Sequence, residues 1–247
     1  MTRIPAIRGV IKRRILVNYR VEPAALHEIV PAPFRVRLMD GYAMAGVCLI
    51  RLERVRPSAL PGPDVGLASD NVAYRVAVEW TDPDTHEPSQ GVYIPRRDTS
   101  SSLQRAFGGR FFPGEYHHSR FTVSDADGRI SITVGSDDGG GDVELKASET
   151  DEFPDDSVFG SLAQASHFFE EGSVGYSAKQ QDDRLDGLLL LTESWAVRPL
   201  AVHDARSSFF ERLETSAPGS VSLDNALIMR DVPHEWHALP QMKSDHH

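Results

Sequence analysis

Residues 91–121 read GVYIPRRDTSSSLQRAFGGRFFPGEYHHSRF. The stretch begins as a strand that we expect to end at Pro95, after which a Ser/Thr-rich cap at residues 98–100 predicts a short helix over residues 101–107. Residues 110–120 then combine an acid, a phenol, two imidazoles and two guanidinium groups. No other segment is as dense in groups capable of acid–base or anion-binding chemistry, so the sequence predicts a functional site here.

Alternating apolar residues on both sides of this stretch are typical of strands. They predict strands at residues 6–21, 34–37, 42–53, 71–80, 119–124, 128–135, 143–147, 174–178 and 185–195. Helices are predicted at residues 24–30 and 156–172, and a loop rich in proline and glycine at residues 56–70. We find no internal repeat and no linker, so residues 1–247 are expected to form a single domain with an ordered core at about 6–240. The predicted fold is mainly β: a large, curved, antiparallel barrel with two or three short helices.

Composition excludes several classes of function. The formal net charge of −10 argues against a general nucleic-acid binder, which would need a basic face. No segment is apolar for long enough to indicate a signal peptide or a membrane span. We therefore expect a cytoplasmic protein with no nucleic-acid or membrane partner. The single cysteine, Cys48, lies in an apolar run and is interpreted as a buried, inert thiol.

Several motifs together resemble a family of uncharacterised bacterial proteins in the acetoacetate decarboxylase-like superfamily. They are VNYRVEPAALHEIVP at 17–31, DGYAMAGV at 40–47, NVAYRV at 71–76, GVYI at 91–94, RFFPGEY at 110–116, GYS at 175–177, the strand ending in Trp195 and DNALIM at 224–229. The resemblance covers most of residues 15–240. It implies a β-barrel that encloses a small-molecule cavity, often within an oligomer, so the expected partners are a small-molecule ligand and further copies of the chain.

The decarboxylase branch of that superfamily works through a lysine of lowered pKa that forms a Schiff base with a β-keto acid. In that branch the lysine follows a Phe/Tyr-Pro pair. The corresponding residues here, 110–113, are followed by Gly114 and Glu115. The chain has four lysines, Lys12, Lys146, Lys179 and Lys243, and none lies in this segment. We therefore do not expect Schiff-base decarboxylation.

The next residues in the chain are the candidate catalytic residues, Glu115, Tyr116, His117 and His118. In an extended segment Glu115 and His117 share one face, while Tyr116 and His118 share the other. A Glu–His pair on one face suits general acid–base catalysis. Half-buried structural roles are an equally good interpretation. No third ligand has the spacing of a metal site, so neither a metal nor a cofactor is predicted.

Arginines are the candidate anchors for a carboxylate, because a planar guanidinium binds it through two hydrogen bonds. Arg75, Arg96, Arg97 and Arg110 are considered, and Arg75 and Arg110 are preferred because they flank the motifs of the resemblance. Arg75 shares a strand face with two alanines, which fits a polar lumen as well as a solvated surface. The full predicted ligand-binding set is Arg75, Arg110, Tyr74, Tyr93, Glu193 and Trp195.

Three functions remain open from the sequence. The first is a barrel that binds an organic acid or apolar metabolite without Schiff-base chemistry. The second is a lyase or hydratase that acts on an oxo-acid through Glu, Tyr and His acid–base groups. The third is an interaction module with a filled core, which accounts least well for the polar cluster.

Overall fold

A computed structural model describes residues 6–59, 66–83, 85–102, 116–179 and 182–244, without the side chains of 179, 182 and 183. These residues form one sheet of thirteen strands. The strands are β1 (Ala6–Val21), β2 (Arg35–Val36), β3 (Leu38–Met39), β4 (Tyr42–Pro57), β5 (Leu67–Thr81), β6 (Pro88–Thr99), β7 (Tyr116–Ala126), β8 (Arg129–Ser136), β9 (Val143–Glu149), β10 (Val174–Lys179), β11 (Asp182–Thr192), β12 (Arg198–Ser207) and β13 (Val221–Lys243). The helices are α1 (Leu162–Glu170) and α2 (Ser208–Ser216), with 3-10 turns at Pro23–Leu26 and Glu171–Ser173.

The strand pairings close on themselves. A ring of seven strands runs β13–β1–β4–β5–β6–β10–β11 and returns to β13. A second path leaves β6 through β7, β8, β9 and β12 and also returns to β13. Closure leaves few free backbone donors and acceptors along these strands.

The central strands β1, β4 and β5 are buried on both faces over most of their length. One face contributes Ile15, Val47 and Tyr74 to the main hydrophobic core, where they pack with Ile132 and Leu145 of β8 and β9. The other face points into the seven-stranded ring and toward α1. Because neighbouring residues of a strand alternate between faces, the same strands serve the core and the ring interior at once.

Strand β6 differs from the sequence prediction, which ended it at Pro95. It continues to Thr99, and its pairing with β5 shifts by one residue between Tyr74 and Val76. Two residues, Ile94 and Pro95, therefore lie opposite Arg75, as in a β-bulge. A bulge tolerates proline, since one residue there is left out of the ladder. The helix predicted at residues 101–107 falls almost entirely outside the described residues.

Two other predictions also need correction. The predicted loop at 56–70 is shortened, because β4 runs to Pro57 and β5 starts at Leu67. The helix expected from residue 156 begins only at Leu162, with Ser161 as its N-cap. Before it, the Ser157 hydroxyl and the Val158 N–H donate to the Asp224 carboxylate instead of entering a helical turn.

Candidate functional site

A cavity of about 70 Å³ lies inside the seven-stranded ring. Each strand of the ring contributes to its wall, and so does the 3-10 turn after α1. One lining residue from each strand, in ring order, is Trp236, Arg14, Cys48, Arg75, Arg97, Gly175 and Leu188. A single water needs on the order of 10–15 Å³ by a comparable measure, so the cavity has room for a small molecule.

Arg75 reaches into this interior from β5. Its guanidinium donates to Asn18 Oδ1 on β1, although β4 lies between the two strands. The residue of β4 that pairs with both Asn18 and Arg75 is Gly46. Because glycine has no side chain, the Arg75 side chain can cross β4 at this position. Asn18 is fixed in turn by donating from Nδ2 to Asn225 Oδ1 over 2.7 Å. A polar row across four strands therefore holds Arg75 in place.

Arg75 remains charged although it is only 6% exposed. Burial lowers its pKa to about 10, and the positive charge of Arg14 adds to this shift. The guanidinium also lies over the ring of Phe169, 4.8 Å from its centroid, which partly compensates the lost hydration. Its Nε nevertheless has no hydrogen-bond partner among the described residues.

Two further arginines line the same cavity. Arg14 donates from Nε to the sulfur of Cys48 at 3.2 Å and lies 5.5 Å from the ring of Trp195. Arg97 donates from Nε to Ser177 Oγ at 3.2 Å. Arg14 Nη1 and Arg97 Nη2 are buried without a hydrogen-bond partner in the described part of the chain. Among the described residues, three guanidinium groups thus each have a donor without a partner.

No carboxylate among the described residues compensates these charges. The described lining of the cavity contains three arginines and neither Asp nor Glu. Burying an unpaired charge is costly, so structural arginines in protein interiors normally have an anionic partner. The arrangement therefore favours an anion as the occupant.

Tyr116 extends this site. It lines a smaller cavity of about 30 Å³ that shares Arg97 and Trp236 with the larger one. The Arg97 guanidinium lies 5.9 Å from the Tyr116 ring centroid. Burial raises the pKa of the Tyr116 hydroxyl and Arg97 opposes that rise, so the phenol is protonated at neutral pH. Of the three predicted catalytic residues that the structure describes, Tyr116 is the one that lines a cavity.

The two adjacent histidines lie elsewhere. Nδ1 of His117 is 3.2 Å from Asp138 and Nδ1 of His118 is 3.0 Å from Asp137, in the glycine-rich turn between β8 and β9. Neither histidine lines either cavity. Glu115 and Arg110, the other members of the predicted cluster, lie outside the described residues.

The turn that receives the histidines is also tied to a buried carboxylate. Arg96 makes two hydrogen bonds to Asp98, at 2.7 and 2.9 Å, and also contacts Asp138. Burial opposes the charge of Arg96, but these carboxylates raise its pKa above the ordinary value. Ser119 donates to Asp98 as well. The cluster joins β6, β7 and the turn, and its charged groups already pair and form hydrogen bonds with one another.

The remaining predicted ligand-binding residues are dispersed. Tyr74 and Tyr93 belong to the main hydrophobic core on the opposite sheet face, where the Tyr74 hydroxyl donates to the Gly141 carbonyl at 2.7 Å. Trp195 packs beside Arg14 and donates to Ser166 at 3.0 Å. Glu193 lines a separate surface groove of about 530 Å³.

His234 also lines that groove but is 3% exposed. Its ring meets the ring of Trp236, which lines the cavity, with 4.7 Å between the centroids. Burial, assisted by the charge of Arg14, lowers the pKa of His234 to about 4. His234 is therefore a neutral imidazole that lies between the groove and the cavity lined by Arg14, Arg75 and Arg97.

Arg14, Cys48 and Asn18 are site residues that the sequence reasoning missed. A usable signal was present for Arg14, which is followed by the apolar run Ile15–Val17 and therefore sits in a strand that buries both faces. Arg97 was among the arginines considered but was not preferred. Nothing local in the sequence brings Cys48 beside Arg14.

Comparisons with known proteins agree with this architecture. The model of a family described as an uncharacterized conserved protein, DUF2071, matches residues 10–228. No curated protein matched the chain in sequence. No helix in the described part of the chain has both the length and the apolar character needed to cross a membrane.

Solved structures share the fold at low sequence identity. An acetoacetate decarboxylase-like enzyme from Sphingomonas wittichii RW1 is 15% identical, with a TM-score of 0.59 over 99% of this chain and 95% of that one. The acetoacetate decarboxylase of Legionella pneumophila is 9% identical, with a TM-score of 0.55 over 98% and 87% of the two chains. The enduracididine biosynthesis enzyme MppR, complexed with the condensation product of pyruvate and imidazole 4-carboxaldehyde, is 15% identical, with a TM-score of 0.57 over 98% and 90%. The predicted fold class and the predicted membership in an uncharacterised family are confirmed.

Proposed function

Because the chain belongs to the DUF2071 family of uncharacterized conserved proteins and has an acetoacetate decarboxylase-like fold, we propose that it binds a small organic acid inside its seven-stranded ring. The observation that supports this most directly is the group of three cavity arginines, Arg14, Arg75 and Arg97, each with a donor that has no partner in the described part of the chain. A pyruvate-derived product bound to a protein of the same fold, MppR, is consistent with such a ligand.

The charge of the cavity narrows the ligand class. Each carboxylate neutralises one guanidinium, and uncompensated charge in a low-dielectric interior is unfavourable. A dicarboxylate would therefore bind more tightly than a monocarboxylate of the same length. The small volume and the apolar walls at Ile50, Leu188 and Leu190 favour a chain of only a few carbon atoms.

The lysines support a function without a Schiff base. Lys12 and Lys146 are 52% and 63% exposed and pair with Asp231 and Asp204. Lys243 is also exposed, and the side chain of Lys179 lies outside the described part of the structure. Neither described cavity lining contains a lysine. Among the described residues, the arginines would hold the acid with no amine beside it.

Isothermal titration calorimetry with malonate and propionate tests the proposal, since the two acids have equal length and different charge. We expect malonate to bind more tightly to the wild-type protein. Arg97→Gln should weaken malonate by about tenfold or more, because a charge-assisted hydrogen bond contributes on the order of 1.5–3 kcal/mol. Arg35→Gln is the matched control, since Arg35 is an exposed arginine. Equal losses in both variants, or no binding to the wild type, would refute the assignment.

A second candidate function is an enzyme that uses Tyr116 as a general acid on a bound oxo-acid. It is favoured by the position of a protonated phenol beside Arg97 at the cavity. Turnover of short oxo-acids should then be abolished in Tyr116→Phe. In contrast, His118→Gln should retain it, because His118 pairs with Asp137 outside the cavity. A wild-type protein that binds the acids and leaves them chemically unchanged would exclude this candidate.

A further inference from the structure

Cys48 lines the same cavity as Arg14, Arg75 and Arg97. Its direct neighbours across the sheet are Leu16 on β1 and Ala73 on β5. Arg14 and Arg75 occupy the diagonal positions on these two strands, on the same sheet face. Diagonal neighbours in a sheet are about 7–8 Å apart, within reach of long side chains. The sulfur therefore has one guanidinium on each side.

The contacts agree with this register. Arg14 Nε donates to the Cys48 sulfur at 3.2 Å, and Arg75 lines the same cavity as Cys48. Cys48 is 2% exposed, yet it lines the cavity. Reactive cysteines lie in electropositive surroundings that a reagent can reach. For Cys48 the arginines supply the positive charge and the cavity supplies the access.

Independent evidence for a ligand comes from the arginines themselves. Arg75 is 6% exposed and Arg14 is 9% exposed, and both line the cavity that Cys48 lines. Arg75 Nε and Arg14 Nη1 have no hydrogen-bond partner among the described residues. An anion held by these donors would lie beside the sulfur.

We propose that Cys48 is a nucleophile that adds reversibly to the carbonyl carbon of a 2-oxo acid held by Arg14 and Arg75. This inference rests on the proposed function, because it requires the organic acid to bind in the cavity. It assigns the site a substrate class, the 2-oxo acids, in which the electrophilic carbon is bonded directly to the carboxylate.

The addition balances without any further reactant. The sulfur forms a bond to the carbonyl carbon, and the π electrons of the C=O bond move to its oxygen. The thiol proton is transferred to that oxygen, so the product is a hemithioketal. No bond other than S–H and the C=O π bond is broken. The developing alkoxide lies close to the guanidinium groups, which stabilise negative charge.

Alkylation measured by intact mass spectrometry tests the nucleophile. Since the chain contains one cysteine, an added carboxymethyl or carbamidomethyl group that is missing in Cys48→Ala is assigned to this thiol. We expect the rate ratio of anionic iodoacetate to neutral iodoacetamide to exceed that of N-acetylcysteine by about tenfold or more, because a positive cavity concentrates anions. Malonate should slow the reaction, and Cys48→Ala should show no adduct. A ratio equal to that of the free thiol, or no alkylation by either reagent, would overturn the proposal.

Binding of pyruvate and lactate tests the addition, since the two acids differ only at the carbon that the sulfur would attack. We expect pyruvate to bind more tightly than lactate to the wild-type protein, and this preference to disappear in Cys48→Ala and Cys48→Ser. If malonate binds and the preference is absent or survives both substitutions, the nucleophile assignment fails while the proposed function stands. If malonate, pyruvate and lactate all fail to bind, the proposed function fails first.

Discussion

The Nε–H group of Arg14 donates a hydrogen bond to the sulfur of Cys48 across 3.2 Å. These residues are 34 positions apart in the chain and are brought together by the antiparallel pairing of β1 and β4. The contact joins the single thiol of the protein to a group of cavity-lining guanidinium side chains. The sequence predicted a buried, inert thiol, and this contact places the buried Cys48 in the candidate site.

Arg75→Met should separate binding from stability. The substitution removes the desolvation cost of an unpaired buried guanidinium. This gain offsets the loss of the hydrogen bond that Arg75 donates to Asn18 Oδ1. We expect the free energy of unfolding in urea to fall by less than about 1 kcal/mol or to rise, with malonate binding lost in calorimetry. A fall of several kcal/mol would instead show that the Arg75–Asn18 hydrogen bond is a main structural support.

Gly46→Ala should disturb the row that holds Arg75. A Cβ at this position would lie 2.5 Å from the Val17 carbonyl oxygen and 3.3 Å from Asn18 Oδ1. We expect a cost on the order of 1–3 kcal/mol in urea unfolding, together with weaker malonate binding. Gly135→Ala is the matched control, because a Cβ there meets nothing within 4 Å. Similar stability of the two variants would contradict the close packing at Gly46.

The buried imidazole of His234 should make the free energy of unfolding depend on pH. Its pKa is about 4 in the folded protein and 6.5 ordinarily, so the unfolded chain binds more protons between these values. The free energy of unfolding should therefore decrease as the pH falls from about 6.5 to about 4, by about 3 kcal/mol from this residue. Denaturation at several pH values, compared with His234→Phe, measures this contribution. Arg14 and Glu235 also act on His234 and are present in both proteins. Parallel pH profiles of wild type and variant would disprove the neutral, buried imidazole.

Asp98→Asn should destabilise the junction of β6, β7 and the glycine-rich turn. The carboxylate is fully buried and accepts hydrogen bonds from Arg96 and Ser119. Breaking a buried ion pair by removing one partner costs on the order of 3–5 kcal/mol. Asp137→Asn, at an exposed position beside His118, should cost less than about 1 kcal/mol. Equal losses in thermal denaturation would show that the turn does not depend on the buried carboxylate.

Much of the fold follows from local patterns in the sequence. Alternating apolar residues predicted the positions of β1, β4, β5 and β8, because a strand with a buried face must repeat every two residues. Prolines predicted the ends of strands less well. Pro95 was expected to end a strand, whereas a bulge opposite Arg75 accommodates it. Whether proline ends a strand depends on the partner strand, which local sequence does not specify.

The sequence by itself determined the mainly β character and the lack of a lysine after residues 110–113. It also placed Arg75 correctly on a face shared with small residues. Only the tertiary structure decided which residues share that face inside the ring. Arg14, Cys48, Arg75 and Arg97 lie on four different strands. The alternation along a strand predicts which sheet face each residue occupies, but it does not predict which residues of other strands lie beside it. Their convergence depends on long-range register and on closure of the ring through β13, so the site is a property of strand pairing and not of any one segment.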